Sequence, residues 1–118
     1  MRLINNITTD SRQQFTLITE SGEEVSFLLY YVPTQQQWAF NLSIGNLTIN
    51  GATIGVAPNL LRNYRNLIDF GLMCISSDGY DPYYINDFVA STPNSSPRIQ
   101  LFLLNQTDVN NIEKTYFT

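Results

Sequence analysis

Asp78, Asp81 and Asp87 gather around Gly79 and Pro82. Carboxylates alternating with glycine could hold calcium, and a pair such as Asp81 and Asp87 could do general acid and base work in a hydrolase. The spacing of an EF-hand loop is absent, and no nucleophile motif accompanies the carboxylates. Turn formation explains Asp78-Gly79 and Asp81-Pro82 without a ligand. The same stretch carries Tyr80, Tyr83, Tyr84 and Phe88. Aromatic rings on a loop can stack on a sugar or anchor a partner protein, and they can equally serve as packing. A third candidate is the pair Arg62 and Arg65, three residues apart and therefore on one side of a helix. Either these guanidinium groups meet acids of a neighbouring subunit, or they solvate the helix and pair within the chain, for example to Asp69. Histidine, the commonest general base and metal ligand, is missing altogether. The single cysteine, Cys74, excludes an internal disulfide and a cysteine-rich zinc site. Its neighbours in Phe70-Gly71-Leu72-Met73-Cys74-Ile75 make it a small buried hydrophobe. The residues therefore point away from an enzyme, a metal and a cofactor. They nominate Arg62, Arg65, Tyr80, Tyr83 and Tyr84 as a protein interface.

Strands must position these side chains. Phe15-Thr16-Leu17-Ile18 opens one, and Ser21-Gly22-Glu23-Glu24 turns the chain. Val25 to Tyr31 is a strong strand, too continuously apolar to leave one face wet throughout. Pro33 to Gln36 breaks it. Trp38, Phe40, Leu42 and Ile44 then alternate on one face, so the pair reads as a hairpin. Asn46 to Ile49, the dipeptide Asn50-Gly51 and Ala52 to Val56 predict a second hairpin turning at Asn50-Gly51, where both residues tolerate positive φ. Pro58, Asn59, Leu60, Leu61, Tyr64 and Leu67 predict one short inserted helix near residues 58–67. Pro58 suits its first turn, Asn59 could cap it, and the leucines and Tyr64 form the inner face. Phe70 to Ser76 and Arg98 to Leu104 are further strands, with Tyr83-Tyr84-Ile85 a short edge-like one. Ser91 to Pro97 is a surface loop, and Asn105 to Thr118 a polar turn plus an arm. The sum is all-β, a β-rich barrel or sandwich in a single domain over residues 1–118, with flexible arms at 1–11 and 109–118.

Composition narrows the role. The chain has 118 residues, of which 43% are apolar, enough for one core. Charged residues make up only 14%. Neutral polar side chains fill the gap, and such a surface repels neighbours weakly, as a subunit packed against other protein requires. The net charge of −4 argues against binding nucleic acid through its phosphates. No stretch is long and apolar enough for a membrane helix, and Met1-Arg2-Leu3-Ile4 running into Asn5-Asn6 lacks the layout of an export signal.

A resemblance rests on the order of Leu28-Leu29-Tyr30-Tyr31, Gln37 to Leu42, Ile49-Asn50-Gly51, Pro58 to Leu61, Phe70-Gly71-Leu72, Asp81-Pro82-Tyr83, Asn86-Asp87-Phe88 and Arg98 to Leu104. In that order the chain, from about Phe15 to Asp108, resembles the small baseplate plug proteins of contractile-tailed phages, of the cyanophage type. It carries Asn86 where the family pattern favours a second acidic residue. The resemblance implies a virion structural protein at the hub end of the tail, sealing or organising the central channel before genome ejection. It implies partners among other baseplate and tail proteins, hub and tube-initiator-type subunits included, with multiple copies per tail. It also implies synthesis in the host cytoplasm, and neither enzyme nor cofactor. The alternative is a small β-sandwich that binds carbohydrate or a host surface through Trp38 or the Tyr80–Tyr84 loop, although Trp38 lies in phase with Phe40 and Leu42.

Overall fold

In the computed structural model, which describes residues 1–4, 7–90 and 95–116, the apolar alternation is resolved into two antiparallel sheets around one core. The elements are β1 (Arg2–Leu3), β2 (Arg12–Ile18), β3 (Glu24–Val32), β4 (Gln37–Ile44), β5 (Leu47–Thr53), β6 (Gly71–Ser76), β7 (Ile99–Leu104) and α1 (Gln106–Tyr116). One sheet runs β2-β3-β4-β5 and the other β1-β7-β6, so the arrangement is a sandwich of two open sheets. Val25, Phe27 and Leu29 on β3, and Trp38, Phe40 and Leu42 on β4, face Leu72 and Cys74 on β6 and Ile99, Leu101 and Leu103 on β7. Phe27 and Phe40 stack with centroids 5.4 Å apart, and Trp38 meets Phe88 edge-on at 5.2 Å. Period-two alternation explains both inner faces, because successive strand side chains point oppositely. The outer face of β3 holds Leu28, Tyr30 and Val32 half-buried, which accounts for its unbroken apolar run.

Several local expectations are corrected. The hairpin between β4 and β5 turns at Gly45-Asn46, not at Asn50-Gly51. Asn50-Gly51 lies inside β5, where the register shifts between Phe40 and Leu42 and forms a bulge opposite Asn41. Gly51 has φ +68° and gives its amide to Asn41 Oδ1 at 2.7 Å. A bulge and a hairpin turn make the same demand for positive φ, so the dipeptide serves either. The inserted helix near 58–67 shrinks to a 3-10 turn, Arg62–Tyr64. Its would-be first turn is committed to β6: the Leu60 amide donates to the Leu72 carbonyl at 2.6 Å. Buried Asn59 Oδ1 accepts from both Leu61 and Leu72. A β-carbon on Gly71 would lie 2.6 Å from that oxygen, so any larger residue there would push Asn59 out of these bonds. Leu67, expected on the inner face, is 71% exposed.

Tyr83-Tyr84-Ile85 is not a strand. The C-terminal stretch is helix α1 rather than a turn plus arm. Asn105 Oδ1 accepts from the Asp108 amide at 2.7 Å while Asp108 Oδ2 accepts from the Asn105 amide, a reciprocal cap of the kind that starts helices. Val109 and Ile112 dock on Leu104 and Met73. At the other end, Arg2 and Leu3, expected in an arm, pair with Leu103 and Phe102 of β7, and Ile4 and Ile7 are buried. Asn5 and Asn6 of that arm, Ser91 to Asn94 of the surface loop, and Phe117 and Thr118 lie outside the described residues.

Candidate functional site

Arg98 stands just before β7, and Asp87 lies in the loop that leads to it. The guanidinium grips the carboxylate with both edges: Nε donates to Oδ1 at 3.1 Å and Nη2 to Oδ2 at 2.7 Å. Nη1 donates to Asp78 Oδ1 at 2.8 Å and to the Tyr80 carbonyl at 2.9 Å, and Nη2 to the Asp81 carbonyl at 3.0 Å. Arginine's planar fork makes this possible, since one side chain can serve carboxylates and loop carbonyls together. Asp87, only 6% exposed, also accepts the amides of Tyr83 and Tyr84 at 2.7 and 2.8 Å. The carbonyls of the same two tyrosines accept from Tyr31 Oη and, at 2.9 Å, from Trp38 Nε1. Side chains thus take the backbone groups that a strand ladder would need, which is why no strand forms at 83–85.

The electrostatics follow from these bonds. Burial alone would raise the Asp87 carboxyl, but the donors from Arg98, Tyr84 and Tyr83 outweigh it and hold it below the usual carboxylate value. The Ser76 hydroxyl and the Tyr80 amide, with help from Arg98, bring Asp78 down to about 2. Asp87 and then Asp78 raise Arg98 further above its ordinary value, against the opposing effect of desolvation. Asp81 turns elsewhere: its Oδ1 accepts from the Val56 amide at 2.8 Å. The acidic residues are therefore loop-building groups, and among the described residues no three His, Cys, Asp or Glu side chains gather as a metal site.

What this framework presents to solvent is aromatic. Tyr80 is 69% and Tyr84 59% exposed. The Tyr83 ring lies between its neighbours, 4.5 Å from the Tyr84 centroid and 4.6 Å from the Arg98 guanidinium carbon. The structure therefore brings Tyr80, Tyr83 and Tyr84 together on one pinned loop. Phe88 turns inward to the core, and Trp38 is fully buried and offers no surface to a sugar.

Arg62 and Arg65 do not join this site. Both turn to Glu113 on α1, with Arg62 Nε 3.0 Å and Arg65 Nε 3.5 Å from Oε1. Arg65 Nη1 also donates to the Arg62 carbonyl at 2.9 Å. The in-chain acid is Glu113, not Asp69, and it comes from the helix that the sequence reading placed in an arm. Cys74 is buried as expected; desolvation first, then the charge of Asp81, pushes its thiol up to about 12.

The residues that sequence reasoning missed are Arg98 and, in its structural role, Asp87. A signal existed: three carboxylates crowd one short loop in a chain with only six Lys and Arg, so one of those cations had to answer them. A family model described as cyanophage baseplate Pam3 plug gp18 matches residues 1–92. The matched stretch contains the tyrosine loop and Asp87 and ends before Arg98, β7 and α1. No curated protein matches the chain.

Proposed function

The chain belongs to the cyanophage baseplate plug family, and from that premise we propose that it closes or organises the central channel at the hub end of a contractile tail until genome ejection. Its coarser role is that of a structural part of the phage tail baseplate, associated with other baseplate and tail proteins. The family match over residues 1–92 carries this reading. The fold supports it in two ways. The outer face of the four-stranded sheet sets Gln14, Thr16, Gln37, Asn41 and Ser43 on β2 and β4 beside half-buried Leu28, Tyr30 and Val32 on β3, a mixed face suited to packing among copies and neighbours. The rigid loop bearing Tyr80, Tyr83 and Tyr84 has the composition of an interface anchor, rich in tyrosine and backed by arginine. Arg62 and Arg65 enter as a brace that sets α1 against the 3-10 turn, so they shape the surface offered to a neighbour.

In this role the mechanism is mechanical. Several modest interfaces hold the closed state, and rearrangement of the hub during contraction shifts the balance to the open one. Tails assembled without this chain test the reading by electron microscopy. A stain-filled channel at the hub end is expected where complete tails exclude stain. A channel that stays closed without the chain contradicts it. Retained sealing combined with lost attachment to cells would favour the host-surface reading instead.

A further inference from the structure

We infer that the Tyr80–Tyr84 loop recognises a cationic, arginine-bearing segment of another baseplate protein. This rests on the reading of the loop as a docking surface and specifies the partner's chemistry. The first observation is geometric. The loop already holds one guanidinium on a tyrosine face, Arg98 over Tyr83 at 4.6 Å. Tyr84 lies tilted at 44° against the Tyr83 ring, 4.5 Å away, and is 59% exposed, and Tyr80 is 69% exposed. A partner guanidinium placed on these outer faces repeats the contact that the chain makes internally.

The second observation is charge. Asp78, Asp81 and Asp87 share the loop with a single cation, Arg98, so three negative charges against one positive leave the loop at −2. Among the described residues only Oδ1 of the exposed Asp81 side chain accepts a hydrogen bond, from Val56. Its carboxylate, turned toward Gly55 and Val56, keeps acceptor capacity at Oδ2 for a guanidinium. The loop holds half of the chain's net charge of −4, which favours the approach of a basic segment. The third observation is the loop's backbone bonding to side chains of the core and of its own base. Arg98, Asp87, Tyr31 and Trp38 fix the loop backbone from four directions, so docking orders little that is not already ordered. An apolar partner would leave the loop's net negative charge unanswered, and an acidic one would be repelled.

The test uses the full chain and a labelled peptide of three arginines separated by Gly-Ser, with a glutamate version as control. Fluorescence anisotropy at low salt is expected to show the arginine peptide binding at least about tenfold tighter, with the preference fading as salt screens the charges. The double variant Tyr80→Ser, Tyr84→Ser is expected to lose about tenfold of that affinity, on the order of two exposed cation–π contacts, at an unchanged melting temperature. The same double variant is expected to be left out of assembled tails. Equal binding of the two peptides, or full affinity in the double variant, overturns the inference. If the double variant is excluded from tails although the arginine peptide shows no preference, the loop docks a partner of other chemistry, and only the cationic assignment falls. Normal incorporation of the double variant overturns the docking surface itself.

Discussion

Two arginine–carboxylate clusters, alike in chemistry, do different things in this molecule. Around Arg98 the carboxylate is buried and saturated with donors, and the cluster shapes a loop that has no ladder of its own. Around Glu113 the side chains are partly exposed although Arg62 Nε and Glu113 Oε1 are themselves buried, and the cluster ties a helix to a short turn, each of which already has its own backbone bonds. The contrast teaches that spacing along the chain is a poor guide to which charges matter. Arg62 and Arg65 stand out in the sequence because they are close together, while Arg98 and Asp87 stand apart and hold the surface that projects from the domain.

The largest effect should follow from breaking the buried cluster. Asp87→Ala removes four acceptor contacts and leaves Arg98 only Asp78 and the loop carbonyls. The expected loss is about 3 kcal/mol, the low end for a buried pair because Arg98 keeps a solvent-facing edge. Thermal unfolding would read this as a melting point lowered by roughly 10 °C. The amide resonances of Tyr83 and Tyr84 should move with it, and a loss no larger than that of Glu113→Ala would erase the distinction between the clusters.

An intermediate effect is expected from acid. Asp78 is held at about 2 against an ordinary 3.8, and Asp87 is also lowered. Both are therefore less protonated folded than unfolded at low pH. Their stabilisation is complete above the ordinary carboxylate value and is lost as pH falls from about 5 towards the folded values. Melting temperature measured across that range should drop, and it should drop less steeply in Asp87→Asn. Parallel curves for the two proteins would mean that Asp87 does not couple folding to protons.

The smallest effect belongs to the half-exposed cluster. Glu113→Ala should cost about 1 kcal/mol, the upper end for surface ion pairs because the contacting atoms are buried. The double charge reversal Arg62→Glu, Arg65→Glu should leave β6 and β7 intact and loosen α1, seen as faster hydrogen exchange at Val109 and Ile112. Global unfolding by either change would show that the brace is part of the core.

The legible parts of the fold were those written in local periodicity. Trp38, Phe40 and Leu42 alternate, as do Leu101 and Leu103, and all are buried in their strands. Cys74 followed from its neighbours. The illegible parts depend on partners far away in sequence. Nothing near Tyr83 and Tyr84 says that their carbonyls will be taken by Tyr31 and Trp38, 52 and 46 residues distant. Asn50-Gly51 meets the needs of a turn and of a bulge equally, and only the pairing of β4 decides. Helix α1 hid behind its polarity, although Asn105 and Asp108 spelled a cap and Val109 and Ile112 an inner face. Of the candidate site, the tyrosines were readable as types and position, whereas the arginine that pins them was not.

The most direct measurement is a cryo-electron microscopy map of the assembled tail at side-chain resolution. The account predicts this chain at the hub end of the channel, with Tyr80 and Tyr84 buried against a basic segment of another baseplate protein and Arg62 and Arg65 still paired to Glu113. Tyr80 and Tyr84 open to solvent, with Arg62 and Arg65 turned from Glu113 into a subunit interface, would contradict it.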